Sequence, residues 1–108
     1  MTDKIVVFVT AGSLAEARKI AKHLVGKRLA ACVNMTQPVR SVYRWKGKVE
    51  QAKEYLLVIK TTRDMFKKLE SEVLKTHSYA TPEIICLPII EGAADYLEWI
   101  AKSVEPKG

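Results

Sequence analysis

The alternation of apolar and polar residues predicts an α+β domain in which helices back an antiparallel sheet, and three observations lead there. Strand-like and helix-like periodicities follow one another as βαββαβ with one further helix. The chain has 108 residues, room for one hydrophobic core and not two, so residues 1–108 are read as a single domain. With 48% hydrophobic residues and only four prolines and five glycines, it is neither disordered nor repetitive. Ile5–Val9 is a β-branched and aromatic run ended by Thr10, Ala11 and Gly12, the composition of a buried strand. Ser13 with Glu16 forms a capping box, and Ala17, Ile20, Ala21 and Leu24 recur at helical spacing up to Gly26, the expected C-cap. His23 falls off that stripe and reads as a solvated helix-surface residue. From Leu29 the chain runs extended to Met35, pauses at Gln37 and Pro38, and resumes as Val39–Trp45, a long broken second strand. Lys46 and Gly47 separate it from Val49–Lys60, and glycine supplies the positive φ that a tight hairpin needs. Thr61 with Asp64 is a second capping box, after which Phe66, Leu69 and Val73 step along one helix face to His77. Ser78–Glu83 is a loop, with Thr81 held extended by Pro82, before the apolar strand Ile84–Leu87. Leu97, Ile100, Ala101 and Val104 mark a third helix over Ala93–Val104 that stops before Pro106.

This order is the split βαβ, or ferredoxin-like, plan with an extra C-terminal helix and a long hairpin between its second and third strands. A sheet covered on one face should alternate apolar with polar, yet the first strand, the last strand and Tyr55–Ile59 are apolar at both parities. Both faces therefore require burial, and two main helices with a short third cannot cover both. Extended, residues 48–61 reach roughly 45 Å at about 3.3 Å per residue. A domain of this size is only about 34 Å across, so the hairpin must protrude or bend. Protruding strands are safe when symmetric neighbours pair with them, which predicts an obligate homotrimer packed sheet against sheet.

Charge and motif content exclude several function classes. Eighteen basic against twelve acidic side chains leave +6, but the hairpin lacks the alternating aromatics of an RNA-binding strand, since Lys46 and Gly47 lead into Lys48, Val49, Glu50, Gln51 and Ala52. Nucleic acid is not expected as a partner. Neither is a membrane, because no apolar stretch approaches the ~18 to 20 residues needed to span a bilayer. The apolar run after Met1–Lys4 is five residues long without a cleavage site behind it, so no signal peptide is read. Two cysteines without a spaced framework point to a cytoplasmic chain with free thiols. GxSxG, HExxH, GxGxxG and P-loop motifs are all missing, and binding without turnover is expected, with no organic cofactor.

The stretch His77–Glu83 places an imidazole, a phenol and a carboxylate beside a strand start. Imidazole nitrogen suits copper, zinc or nickel, and a carboxylate such as Glu83 or a thiolate such as Cys32 could complete the shell. His77 can equally cap the preceding helix, and each cysteine can act as a small hydrophobe. Tyr43 and Trp45 share one strand parity, opposite Arg40 and Arg44.

Six words in order, LAACVN (Leu29–Asn34), SVYRWKG (Ser41–Gly47), IKT (Ile59–Thr61), HSYATPE (His77–Glu83), LPI (Leu87–Ile89) and YLEW (Tyr96–Trp99), closely resemble the CutA divalent-cation tolerance family. The resemblance spans Val6–Trp99. It implies a ferredoxin-like subunit in a tight trimer, with hairpins reaching neighbours and an architecture similar to the P-II signalling proteins. It also implies a link to tolerance of copper and other divalent cations, and copper ligation in bacterial members by a thiol late in the first strand and by histidines before the tyrosine-proline loop. Here Val9 and Thr76 stand at two of those positions and His77 at the third, so a bound metal is expected on His77 with Cys32, Glu83 or a group from an adjacent subunit completing the shell. The P-II likeness implies an alternative, a regulatory trimer whose inter-subunit cleft holds a small anionic ligand against Tyr43, Trp45, Lys60 and Tyr79.

Overall fold

The computed structural model describes residues 2–104; Met1, and Pro106 as the expected stop of the last helix, lie outside them. The elements are β1 (Lys4–Ala11), α1 (Leu14–Gly26), β2 (Cys32–Met35), β3 (Val39–Trp45), β4 (Lys48–Thr62), a 3₁₀ turn (Arg63–Met65), α2 (Phe66–Thr76), β5 (Ile84–Pro88) and α3 (Ala94–Ser103). The broken second strand is real: β2 and β3 are its two pieces, and both pair antiparallel with β4. The sheet runs β2-β4-β1-β5, with β3 continuing along β4 beyond it. Lys46 (φ 51°) and Gly47 (φ 82°) make the tight turn, both left-handed as a two-residue hairpin demands. The hairpin projects, and the long axis of the molecule reaches 44 Å.

Cross-strand register sorts the side chains by face. Val33, Ile59, Val7 and Cys86 form one row, and Met35, Leu57, Val9 and Ile84 the next. Val7, Val9, Leu57 and Ile59 from these rows are fully buried and belong to one core with Ile20 and Leu24 of α1, Leu69 and Val73 of α2 and Ile100 of α3. Rows of the opposite face read Cys32, Lys60, Val6, Leu87 and then Asn34, Val58, Phe8, Ile85. Val6, Phe8 and Val58 there are only half-buried, and Ile85 (52%) and Leu87 (44%) are exposed. The two-sided apolar pattern is thus a physical feature of the folded chain, with its second face incompletely covered.

Several local expectations are corrected. α1 continues through Gly26 and is capped at Lys27, with Arg28 rather than a glycine taking the left-handed position (φ 60°). Leu29 and Ala30 do not open a strand, because their N–H groups finish the helix on the Leu24 carbonyl. Thr61 does not cap α2; buried in the sheet, its hydroxyl donates to the Leu29 carbonyl at 2.7 Å, and the 3₁₀ turn intervenes before the helix. His23 is not merely solvated: its Nε2 lies 2.6 Å from Glu72 Oε1, tying α1 to α2.

Truncating the fully buried Ile59 removes a side chain at the centre of the sheet. Ile59→Ala should lower unfolding free energy by about 2–5 kcal/mol in urea titration. His23 and then Lys75 hold the Glu72 carboxyl below the usual range. A carboxyl lowered in the folded state stabilises above its unfolded pKa, and the gain is lost as pH falls through the folded value. His23→Ala should therefore flatten the acid limb of a melting-temperature profile while a surface control leaves it unchanged.

Candidate functional site

The site is built where α1, the loop after α2 and the root of the hairpin meet. Ser13 Oγ accepts from the Glu16 N–H at 3.1 Å, so the cap forms, but the reciprocal half does not. Glu16 instead reaches across to the loop, accepting from the Ser78 N–H at 2.7 Å and the Ser78 hydroxyl at 3.1 Å. His77 ends α2 with its N–H on the Val73 carbonyl. Its Nε2 donates to the Thr10 carbonyl at 2.7 Å, and its Nδ1 accepts from the Tyr79 N–H at 3.1 Å. A carbonyl can only accept, so Nε2 carries the proton and Nδ1 the lone pair. The imidazole is wholly buried, with Glu16 3.6 Å from Nδ1. His77 is therefore the pin that fastens the loop to β1, and both of its nitrogens are engaged.

That pin aims Tyr79 at the hairpin. Its hydroxyl donates to Glu54 Oε2 at 2.8 Å, and its ring passes so close to Gly12 that a Cβ there would lie 3.0 Å from the phenol oxygen. Burial, then the hydrogen bond and charge of Glu54, push the Tyr79 phenol well above its ordinary pKa of 10.0. Glu54 is itself buried, at 7% exposure. Tyr79 and Glu54 form one side of a cleft of about 680 Å³ that is completed by Thr10, Ser41, Val42, Tyr43, Trp45, Ala80, Thr81 and Glu83.

A one-residue slip puts the aromatic side chains there. Between the pairs Met35–Leu57 and Val39–Glu54, three residues (36–38) oppose two on β4 (55–56), a bulge that contains Pro38. Odd positions of β2 face the helices, whereas Ser41, Tyr43 and Trp45 of β3 share the face of Glu54.

The candidates of the sequence reading are thereby distributed. Tyr43, Trp45, Tyr79 and Glu83 meet at the cleft. Lys60 lies away from it, hydrogen-bonded to Asn34 in the face that also holds Cys32. The ammonium meant to attract an anion is thus missing from the cleft, whose described lining carries the carboxylates Glu54 and Glu83 and no basic side chain. Among the described residues no three His, Cys, Asp or Glu side chains come together as a metal shell, so His77, Cys32 and Glu83 do not converge within one subunit. Cys32 and Cys86 are free and lie in rows on opposite faces of the sheet. Glu54 was not among the site candidates, Glu16 was read only as a cap partner and Gly12 as the end of a strand. A signal existed for Glu54, a charge directly preceding Leu56 and Val58 on their own strand parity.

Fold and site together define a small ferredoxin-like α+β protein with a projecting hairpin and an aromatic, carboxylate-bearing cleft at its root. The family model for the CutA1 divalent ion tolerance protein matches residues 5–103, and the chain belongs to that family. The divalent-cation tolerance protein CutA of Thermus thermophilus is 48% identical over 98 residues, covering 91% of this chain and 95% of that one. A solved divalent cation tolerance protein (Cut A1) from Thermus thermophilus superimposes with a TM-score of 0.93 at 46% identity, covering 94% and 99% of the two chains. The periplasmic divalent cation tolerance protein CutA from Archaeoglobus fulgidus gives 0.92 at 43% identity, covering 94% and 99%. The chloroplastic protein CutA of Arabidopsis thaliana is 43% identical over 92% of this chain, which spans 54% of that longer relative. No helix of the described residues is long and apolar enough to cross a membrane.

Replacing Glu54 with Gln removes the charge beside Tyr79 while leaving its burial. Phenolate absorbance on alkaline titration should show one tyrosine ionising at lower pH in Glu54→Gln than in wild type, still above the ordinary range because desolvation persists. An unchanged titration would separate Tyr79 from Glu54.

Proposed function

We propose that the protein acts in tolerance of divalent cations, copper foremost, as a cytoplasmic homotrimer that binds ions without turnover. Membership of the CutA1 family supports the cation role. The observation that supports assembly is the incompletely covered row Val58, Phe8, Ile85, whose apolar side chains further copies of the chain would shield from water. Free Cys32 and Cys86 suit a reducing compartment.

One subunit lacks a convergent donor set among its described residues, so the ion is held between subunits. Of the three expected donors, Cys32 and Glu83 are available without rearrangement, the first a half-buried thiol and the second an exposed carboxylate. His77 joins the shell only by giving up the Thr10 or Tyr79 hydrogen bond.

Native mass spectrometry with copper titration tests this reading. Wild type should be trimeric and bind copper. Ile85→Asp, at a position exposed in the subunit, should remain folded by circular dichroism, become monomeric and lose copper affinity by roughly tenfold or more. A wild-type monomer, or copper binding equally tight in the monomeric variant, overturns it. His77→Ala with wild-type affinity takes His77 out of the shell and leaves Cys32 and Glu83.

A further inference from the structure

We propose that the cleft at the hairpin root is a binding site for an alkylated ammonium ion. Tyr43, Trp45 and Tyr79 present aromatic side chains to a space of about 680 Å³, enough for a quaternary ammonium group with a short substituent. Each of the three is between 36% and 43% exposed in the single chain, which leaves ring surface to face the cleft. Beneath them Glu54 sits buried on the same strand face, and Glu83 adds a second carboxylate to the lining. A chain of net charge +6 has placed no basic side chain among the described lining residues. A cation fits that field, and ring faces attract one through their quadrupoles. Lys46 Nζ lies 5.8 Å from the centre of the Trp45 ring, within the distance at which an ammonium and a ring face attract.

Competing ligand chemistries fit less well. An anion would face two carboxylates without a counter-charge. A divalent metal needs several hard or soft donors, and the described residues supply no group of three His, Cys, Asp or Glu. A neutral apolar ligand would remove water from Glu54 without compensating its charge. A primary ammonium carries three N–H groups that each want an acceptor, and the Tyr79 hydroxyl already takes one of the acceptor sites of the buried Glu54. An alkylated ammonium asks for no hydrogen bonds; it is held by ring faces and by the field of the carboxylates.

Calorimetric titration of the full chain with choline, against its uncharged isostere 3,3-dimethyl-1-butanol, tests the proposal. Choline should bind saturably and the isostere at least about tenfold more weakly, with Trp45→Leu and Glu54→Gln each weakening choline by roughly tenfold. Trp45 stands on the exposed hairpin outside the core, so its variant keeps the fold even if Glu54→Gln disturbs the loop. Isostere binding as tight as choline, wild-type affinity in Trp45→Leu, or no saturable heat at millimolar choline would each overturn it, and none of these bears on the subunit count or copper affinity measured above.

Discussion

A single strand carries the mechanical burden of this molecule. β4 runs for 15 residues, and its backbone groups pair with β1 and β2 in one half and with β3 in the other. Inter-strand hydrogen bonds hold their alternation of faces over the whole length, so the parity that buries Leu57 and Ile59 also dictates that Glu54, Leu56, Val58 and Lys60 look the other way. The uncovered face and the cleft are consequences of one ladder. Because the far half of β4 leaves the core, the hairpin lacks helices to bury it, and its side chains are nearly all exposed within one subunit.

The same geometry joins the apolar face to the polar cleft. Hydrophobic association needs a continuous surface, and here that surface ends where Thr10 and Glu54 begin. Glu54 tolerates burial because the Tyr79 hydroxyl satisfies it, and Tyr79 is in place because His77 spends both nitrogens on backbone groups. His77 therefore serves the site indirectly. An imidazole whose two nitrogens are occupied is a structural joint, and a metal would have to break that joint to use it.

Much of the fold could be read along the chain. β-branched runs, the Lys46–Gly47 turn and the pause at Pro38 each announce a local preference that tertiary packing then respected. Capping boxes were less dependable, because their acidic or hydroxyl partners also have long-range uses. Glu16 found Ser78 and Thr61 found the Leu29 carbonyl, since satisfying a buried or bridging polar group outweighs a helix cap. The candidate ligand residues were half legible: Tyr43, Trp45, Tyr79 and Glu83 do gather, but Lys60 and Cys32 occupy another row of the sheet.

What the amino-acid order determined by itself was the succession of elements, the two-sided apolar character of the central strands and the length of the hairpin. These follow from residue chemistry at short range. What only the tertiary structure decided was which side chains share a face, because the slip of one residue at 36–38 reverses every parity beyond it. Through that slip the aromatic side chains of β3 came to stand over Glu54 rather than over the helices, and the sign of the cleft became negative in a chain whose total charge is positive.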